Sequence, residues 1–263
     1  MIDLRPKSVQ KYNYNIKLLK QSFEAMNINY LDEFTPDHSS LLYSELLKEK
    51  IAEVGSHKGK TFRAKPKTIN FFLNTVRGFF QLEILKGHLD RNPFLHIKNL
   101  RVEKKRPTYY SKEELKLFFA QEMPDTDRNA FMGLLFSGMR ISELINLTWK
   151  DVDFNKRLLY VRPKENYKTK SFNSERSIPV NDVLYELMKK LFHTSLSEKY
   201  PFCSPRGKKL SDRRLLERCK QVAEKAGLKS NAFLHKFRST HATWLVMSGV
   251  PIHSVKGFLA IGR

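Results

Sequence analysis

LHKFRSTHATWL, residues 234–245, and the earlier stretch FSGMRISELINLTW, residues 136–149, decide how this chain is read. The first has apolar residues at helical spacing and puts His235 and Arg238 one turn apart on one face of the helix. The second delivers Arg140 directly after a Gly138-Met139 break. Two arginines and a histidine suit a phosphate group. Arginine keeps its charge at any physiological pH, and its planar fork donates two parallel hydrogen bonds to an oxyanion.

Between and around these stretches the chain is mostly helical by its apolar period. Val9, Tyr12, Ile16, Leu19 and Phe23 predict a helix over residues 8–26 with Ser8 as its cap, and a second helical run is expected over 39–52. Residues 55–65 are polar and basic, as in a loop. Over residues 67–85 Ile69, Leu73, Val76 and Phe80 form an apolar stripe, while Asn70, Asn74, Arg77 and Gln81 line another face. Such a polar row suits either a solvated surface or a helix lying in a DNA major groove, because these side chains make paired hydrogen bonds to base edges. Asn92-Pro93 closes this region, giving a small helical domain over residues 1–98. KNLRVEKKRPTYY, residues 98–110, has no apolar period and reads as a basic interdomain linker over 99–110. Its Lys104, Lys105 and Arg106 are placed to cross a nucleic-acid backbone.

A new domain, residues 111–263, starts with the capping box Ser111-Lys112-Glu113-Glu114. Helices are expected over 126–137 and 141–147. Arg157–Val161 and Arg176–Val180 then read as short strands flanking a polar loop that carries Lys164, Lys168 and Lys170. Asn181 caps a helix to about Phe192, Ser211 caps one ending at Gly227, a helix covers 234–247 and a last one begins near Pro251. The fold class is therefore mainly α with a small antiparallel β-ribbon.

The net charge of the 263 residues is +21 with 41% hydrophobic content, so the chain buries a core and seeks a polyanion. Double-stranded DNA is the expected partner. A membrane is not, since the sequence has no apolar run of spanning length, no leader and no lipidation motif, which points to the cytoplasm and association with the nucleoid. Cys203 and Cys219 lack metal-ligand spacing and read as ordinary reduced side chains. No carboxylate cluster for a metal is visible, and no cofactor is called for. Charge from Arg140 and Arg238, with His235 as a third donor or proton carrier and a ribbon lysine as acid, suffices for phosphoryl transfer.

GMRISEL (138–144), KTKSFNSERSIPV (168–180) and HKFRSTHAT (235–243), with SKEEL (111–115) and KTINFFLNTVRGFF (67–80), give a sequence that resembles the tyrosine recombinases, the family of phage integrases and Xer-type enzymes, over nearly its whole length. The resemblance implies a helical core-binding domain and a catalytic domain clasping DNA, and strand exchange through a 3′-phosphotyrosine without metal or nucleotide. Arg140 and Arg238 would then hold the scissile phosphate with help from His235, Glu143 would support Arg140, and Lys168 would be the acid with Lys170 close behind. In that family a Leu-Gly-His motif and then the attacking tyrosine follow the His-x-x-Arg box. Here the chain reads Leu259-Ala260-Ile261-Gly262-Arg263, and no tyrosine follows Tyr200. The expectation is a chain that does not cleave DNA, either cut short, turned to binding in the manner of a repressor, or altered by a reading-frame shift. The last is favoured because CTT GGC CAT AGG TCG, encoding Leu-Gly-His-Arg-Ser, reads Leu-Ala-Ile-Gly-Arg after losing one G. The family assembles as a tetramer on DNA partly through its C-terminal segment, so a monomer is expected in solution. A structural nucleoid-type protein, indifferent to sequence, is the remaining alternative.

Overall fold

In the computed structural model the described residues are 6–51, 58–103, 107–165, 167, 175–194, 196–228 and 232–260. They fall in two compact units, residues 1–105 and 106–263.

The first unit holds helices α1 (Pro6–Ala25), α2 (Pro36–Leu47) and α3 (Pro66–Leu85) and a two-residue antiparallel ladder, β1 (Lys50–Ile51) with β2 (Thr61–Phe62). The stripe read from the sequence is its core. Leu73, Val76 and Phe80 are fully buried and Ile69 nearly so, and Phe34 stacks on Phe23, Phe80 and Phe94 with centroids 4.6, 5.7 and 5.5 Å away. The second helix differs from the expectation of 39–52. Thr35 accepts from the His38 amide and Pro36 supplies the first helical residue, so the helix starts earlier, and Lys48 turns extended to end it. The stretch 55–65, expected as loop, contains β2, whose pairing is too short to leave an alternating pattern.

In the second unit the apolar faces of α4 (Lys112–Ala120), α5 (Asp125–Ser137), α7 (Asp182–His193), α8 (Asp212–Lys225) and α9 (His235–Met247) share one core, with the short helices α6 (Ile141–Leu144) and α10 (Ile252–Leu259) beside it. Capping sets the boundaries. Ser111 and Glu114 satisfy each other's backbone amides at 3.1 and 2.9 Å, and the Asn181 side chain accepts from Leu184 N at 2.9 Å. α6 is shorter than the expected 141–147. The ribbon is a three-stranded sheet, β3 (Val152–Asp153), β4 (Leu158–Val161) and β5 (Arg176–Pro179) in that order, with Leu159 opposite Ile178 and both side chains buried. Beneath it all, Phe237 of α9 stacks on Phe131 of α5 with centroids 5.5 Å apart, edged by Phe118 and Tyr110. This contact fixes α9 against α5 and brings the two opening stretches together.

α5 ends at Gly138 in the left-handed region, φ +62°. A β-carbon there would lie 2.6 Å from both the His241 ring and a Leu259 methyl group. Backbone geometry and space both demand glycine. Gly138→Ala is expected to destabilise the protein by about 2 kcal/mol or more, since strain and overpacking add. Urea denaturation checks this, and a loss under about 0.5 kcal/mol, the range of a neutral surface change, would contradict it.

Candidate functional site

The left-handed turn at Gly138 reverses the chain so that Arg140 becomes the N-cap of α6 and Glu143 its third residue. Glu143 then reaches back: its Oε2 accepts the Arg140 amide at 2.8 Å and its Oε1 accepts Arg140 Nη1 at 2.7 Å. Arg176, the first residue of β5, donates to the same carboxylate from the other side, Nη1 to Oε1 at 3.1 Å and Nη2 to Oε2 at 2.8 Å. Arg238 on α9 brings its Nη1 within 3.9 Å of Oε2 and donates it to Gly138 O at 2.7 Å. One carboxylate, 2% exposed, thus sits among three arginines, of which Arg140 is the most accessible at 20%. Positive charge exceeds negative by two.

The same arginines cap α10. Arg176 Nε donates to Phe258 O at 2.6 Å, Arg238 Nη2 to Leu259 O, and Arg140 Nη2 to Ala260 O at 2.9 Å. Three successive carbonyls at the negative end of a helix each meet a different guanidinium, as the helix dipole favours. His235 opens α9 on its exposed side, one turn before Arg238. His241, a turn beyond Arg238, is half-buried with Nδ1 2.9 Å from Leu135 O, and its desolvation holds its pKa below the usual imidazole value.

Burial, the largest influence on Glu143, pushes its carboxyl pKa up, but the hydrogen bonds and charge of Arg176 and then Arg140 outweigh it and leave the value below the ordinary carboxylate range. Arg238 is lowered to about 10 by burial and by Arg140's charge, so it stays protonated at neutral pH.

A second buried acid, Asp151, anchors the base of the ribbon. It accepts from Thr148 N and Oγ1 at 2.9 and 2.6 Å, from Arg162 Nε at 2.9 Å and from Lys164 Nζ. Lys164 also donates to Asn146 O and pairs by backbone with Tyr167. Lys168 and Lys170, and the linker residues Lys104, Lys105 and Arg106, lie outside the described residues. In the first unit Asn70 exchanges two 2.8 Å hydrogen bonds with the Leu100 backbone, and Arg77 donates to Phe94 O, Ile97 O and Asn99 Oδ1. These side chains tie residues 94–100 to α3. Asn74 is exposed, its Oδ1 accepting from Arg77 and Asn99.

The structure therefore joins Arg140 and Arg238 through Glu143 and adds Arg176, Asp151 and Arg162, which the sequence reading did not single out. For Arg176 a signal existed: an arginine opening a strand just before the inward-facing Ile178.

Residues 110–260 match the Phage integrase family, and the chain belongs to that family. It is 25% identical over 263 residues to the tyrosine recombinase XerC of Oceanobacillus iheyensis, the match covering 97% of this chain and 81% of the relative. It is 28% identical over 196 residues to a tyrosine recombinase of Thermosipho africanus, with 73% of this chain and 66% of that protein covered. The tyrosine recombinase XerA of Pyrococcus furiosus is also 28% identical, over 199 residues, with 73% and 65% covered. In fold, the chain resembles the Tn1549 transposon integrase solved with transposon right-end DNA, with a TM-score of 0.77 at 16% identity over 100% of this chain and 88% of that one. It also resembles a lambda integrase dimer bound to a core site, with a TM-score of 0.75 at 17% identity over 99% of this chain and 89% of that one. Among the described residues no helix is long and apolar enough to cross a membrane.

The depressed carboxyl of Glu143 has a signed consequence. Its folded pKa lies below the unfolded value of about 4.3, so its contribution is complete above that pH and is lost as pH falls through the folded value. Asp151, on which burial is outweighed by hydrogen bonds from Lys164, Thr148 and Arg162, acts in the same direction. Glu143→Gln is expected to cost about 3 kcal/mol at pH 7, as removal of one partner of a buried ion pair does, and clearly less at pH 3. Guanidinium denaturation at the two pH values checks this, and an equal cost at both would contradict it.

Proposed function

We propose that the chain is a site-specific DNA recombinase or integrase of the tyrosine type, in which Arg140 and Arg238 hold the two non-bridging oxygens of a scissile phosphate. The observation that carries this reading is the cluster around Glu143: two guanidiniums hydrogen-bonded to a buried carboxylate and a third 3.9 Å from it, within the stretch that matches the family. A trigonal-bipyramidal phosphoryl transition state gathers negative charge on its equatorial oxygens. Pre-placed arginines stabilise that charge without reorganising, and stabilisation of this kind lowers such a barrier more than any other single effect. The chemistry proposed asks for no metal ion and no nucleotide. His235, exposed at the start of α9, assists as a donor, and Lys168 protonates the leaving oxygen, with Lys170 the alternative. The attacking group is a tyrosine hydroxyl that forms a 3′-phosphotyrosine and conserves the bond energy for rejoining.

Double-stranded DNA is the proposed partner, in keeping with the net charge of +21 and with the DNA in the structures it resembles. Asn70, Asn74 and Arg77 of α3 and Lys104, Lys105, Arg106 and Lys170 are the proposed further DNA contacts. Of these, Asn74 is the most accessible within the described structure, while Asn70 and Arg77 must share donors with residues 94–100. The proposed setting is the cytoplasm, at the nucleoid, with the free protein a monomer.

One observation favours a second reading. The net charge of +21 and the arginine cluster equip these residues to hold DNA whether or not it is cut. On that reading they occupy a DNA site without cutting it. Selection of bound duplexes from a random library followed by a nicked suicide substrate separates the readings. An enriched sequence with no covalent adduct supports binding alone, an adduct supports the recombinase itself, and no enrichment contradicts both. On the selected duplex, Arg140→Ala is expected to weaken binding and to reduce the slope of log K against log salt by about 1, the loss of one phosphate contact. An unchanged slope and affinity would remove Arg140 from the DNA interface.

A further inference from the structure

We propose that Arg176, which no sequence motif assigned, is a positioning residue of the arginine cluster: by occupying Glu143 it keeps Arg140 available to an anion. The proposal rests on the reading of the cluster as a phosphate clamp and concerns what makes that clamp electropositive.

An ionised carboxylate offers room for about four hydrogen bonds. Glu143 has four, from the Arg140 amide, Arg140 Nη1, Arg176 Nη1 and Arg176 Nη2. Arg176 takes the two-point fork across both oxygens, the geometry in which arginine binds carboxylate most strongly. The Arg140 guanidinium is left with a single bond to Oε1, and its Nη2 is directed elsewhere, to Ala260 O. The accessibility follows the same division, since the Arg176 side chain is 6% exposed against 20% for Arg140. Arg176 is the buried counter-charge, and Arg140 is the arginine that faces outward.

Remove Arg176 and two acceptor positions on a buried carboxylate fall empty beside the Arg140 guanidinium. Leaving them unfilled is costly, so Arg140 turns to take both, and its charge and fork are spent on Glu143. The cluster's excess of two positive charges drops to one, and the other arginine, Arg238, is 4% exposed with its Nη1 and Nη2 already donating to Gly138 O and Leu259 O. A lysine at 176 would keep the charge but donate from one point, leaving part of the vacancy. A purely architectural role for Arg176, linking β5 to α10 through the Phe258 carbonyl, makes a different prediction. Deleting Glu143 as well would then only add damage. On the positioning account, deleting Glu143 in the absence of Arg176 releases Arg140 and restores part of the anion binding.

The test uses the full chain labelled with ¹⁵N-arginine and titrated with inorganic phosphate. The Arg140 Nε–H resonance is followed after assignment by Arg140→Lys, and circular dichroism verifies each variant's fold. In the wild type the resonance is expected to shift saturably, unlike that of Arg213, whose side chain is 87% exposed. Arg176→Gln is expected to weaken the apparent phosphate affinity about tenfold, the scale of one charge-assisted contact, with Arg176→Lys between. The double variant Glu143→Gln with Arg176→Gln is expected to bind phosphate more tightly than Arg176→Gln alone, because Arg140 is released, while staying weaker than wild type because the carboxylate that fixes Arg140 is gone. If Arg176→Gln does not fold, Arg176→Lys alone and combined with Glu143→Gln decide by the same order. Phosphate affinity within twofold of wild type in the single variant, or a double variant as weak as the single one, overturns the proposal while leaving the clamp standing. No saturable response of Arg140 in the wild type overturns the clamp itself, and this proposal with it.

Discussion

The carboxylate of Glu143 is the constraint on which the rest of the second unit depends. A glutamate this deeply buried stays ionised only if its solvation is replaced in full, and the replacement comes from two arginines on different elements, with Arg238 close by. The bonds to α6 and β5, with Arg238's approach from α9, therefore set the relative positions of the Arg140 turn, the ribbon and the His-x-x-Arg helix. What looks like a salt-bridge network is also a method of holding like charges together. Three guanidiniums repel one another, and a single shared acid under low-dielectric walls makes their approach tolerable while leaving a positive excess.

Around that centre the backbone makes room. Gly138 turns left-handed where a β-carbon would strike His241 and Leu259, and its carbonyl becomes an acceptor for Arg238. The last turn of α10 lends the carbonyls of residues 258, 259 and 260 to the three arginines. A helix C-terminus is a weak, fixed anion, and here it lies against the positive cluster and keeps donors satisfied that would otherwise be buried without partners. On the proposed reading, a scissile phosphate would meet arginines already oriented, with the outward-facing Arg140 first.

Much of this was legible in the sequence because it rests on local rules. The Ser111–Glu114 box, the Asn181 and Ser211 caps, the Ile69-Leu73-Val76-Phe80 stripe and the two strands of the ribbon follow from spacing and cap chemistry, and the structure has each of them. Arg140, Glu143 and Arg238 also stood out, and the structure joins them. Two kinds of feature did not show. Strands of two residues, β1, β2 and β3, are too short to carry a period. Polar side chains whose partners lie in another element look free: Asn70 pairs with Leu100 and Arg176 with Glu143 across 30 and 33 residues, and Asp151 pairs with Arg162 and Lys164 across the turn between β3 and β4, where no periodic pattern marks the contact. A row of Asn and Arg on a helix reads identically whether it meets DNA or its own chain.

The most direct measurement is a crystal structure of the chain with a bound duplex. The account predicts one backbone phosphate with its non-bridging oxygens within hydrogen-bond distance, about 3 Å, of the Arg140 and Arg238 guanidiniums, and Glu143 still held by Arg176. A complex in which the DNA lies elsewhere, with both guanidiniums bonded only to Glu143, Gly138 and the α10 carbonyls, would contradict it.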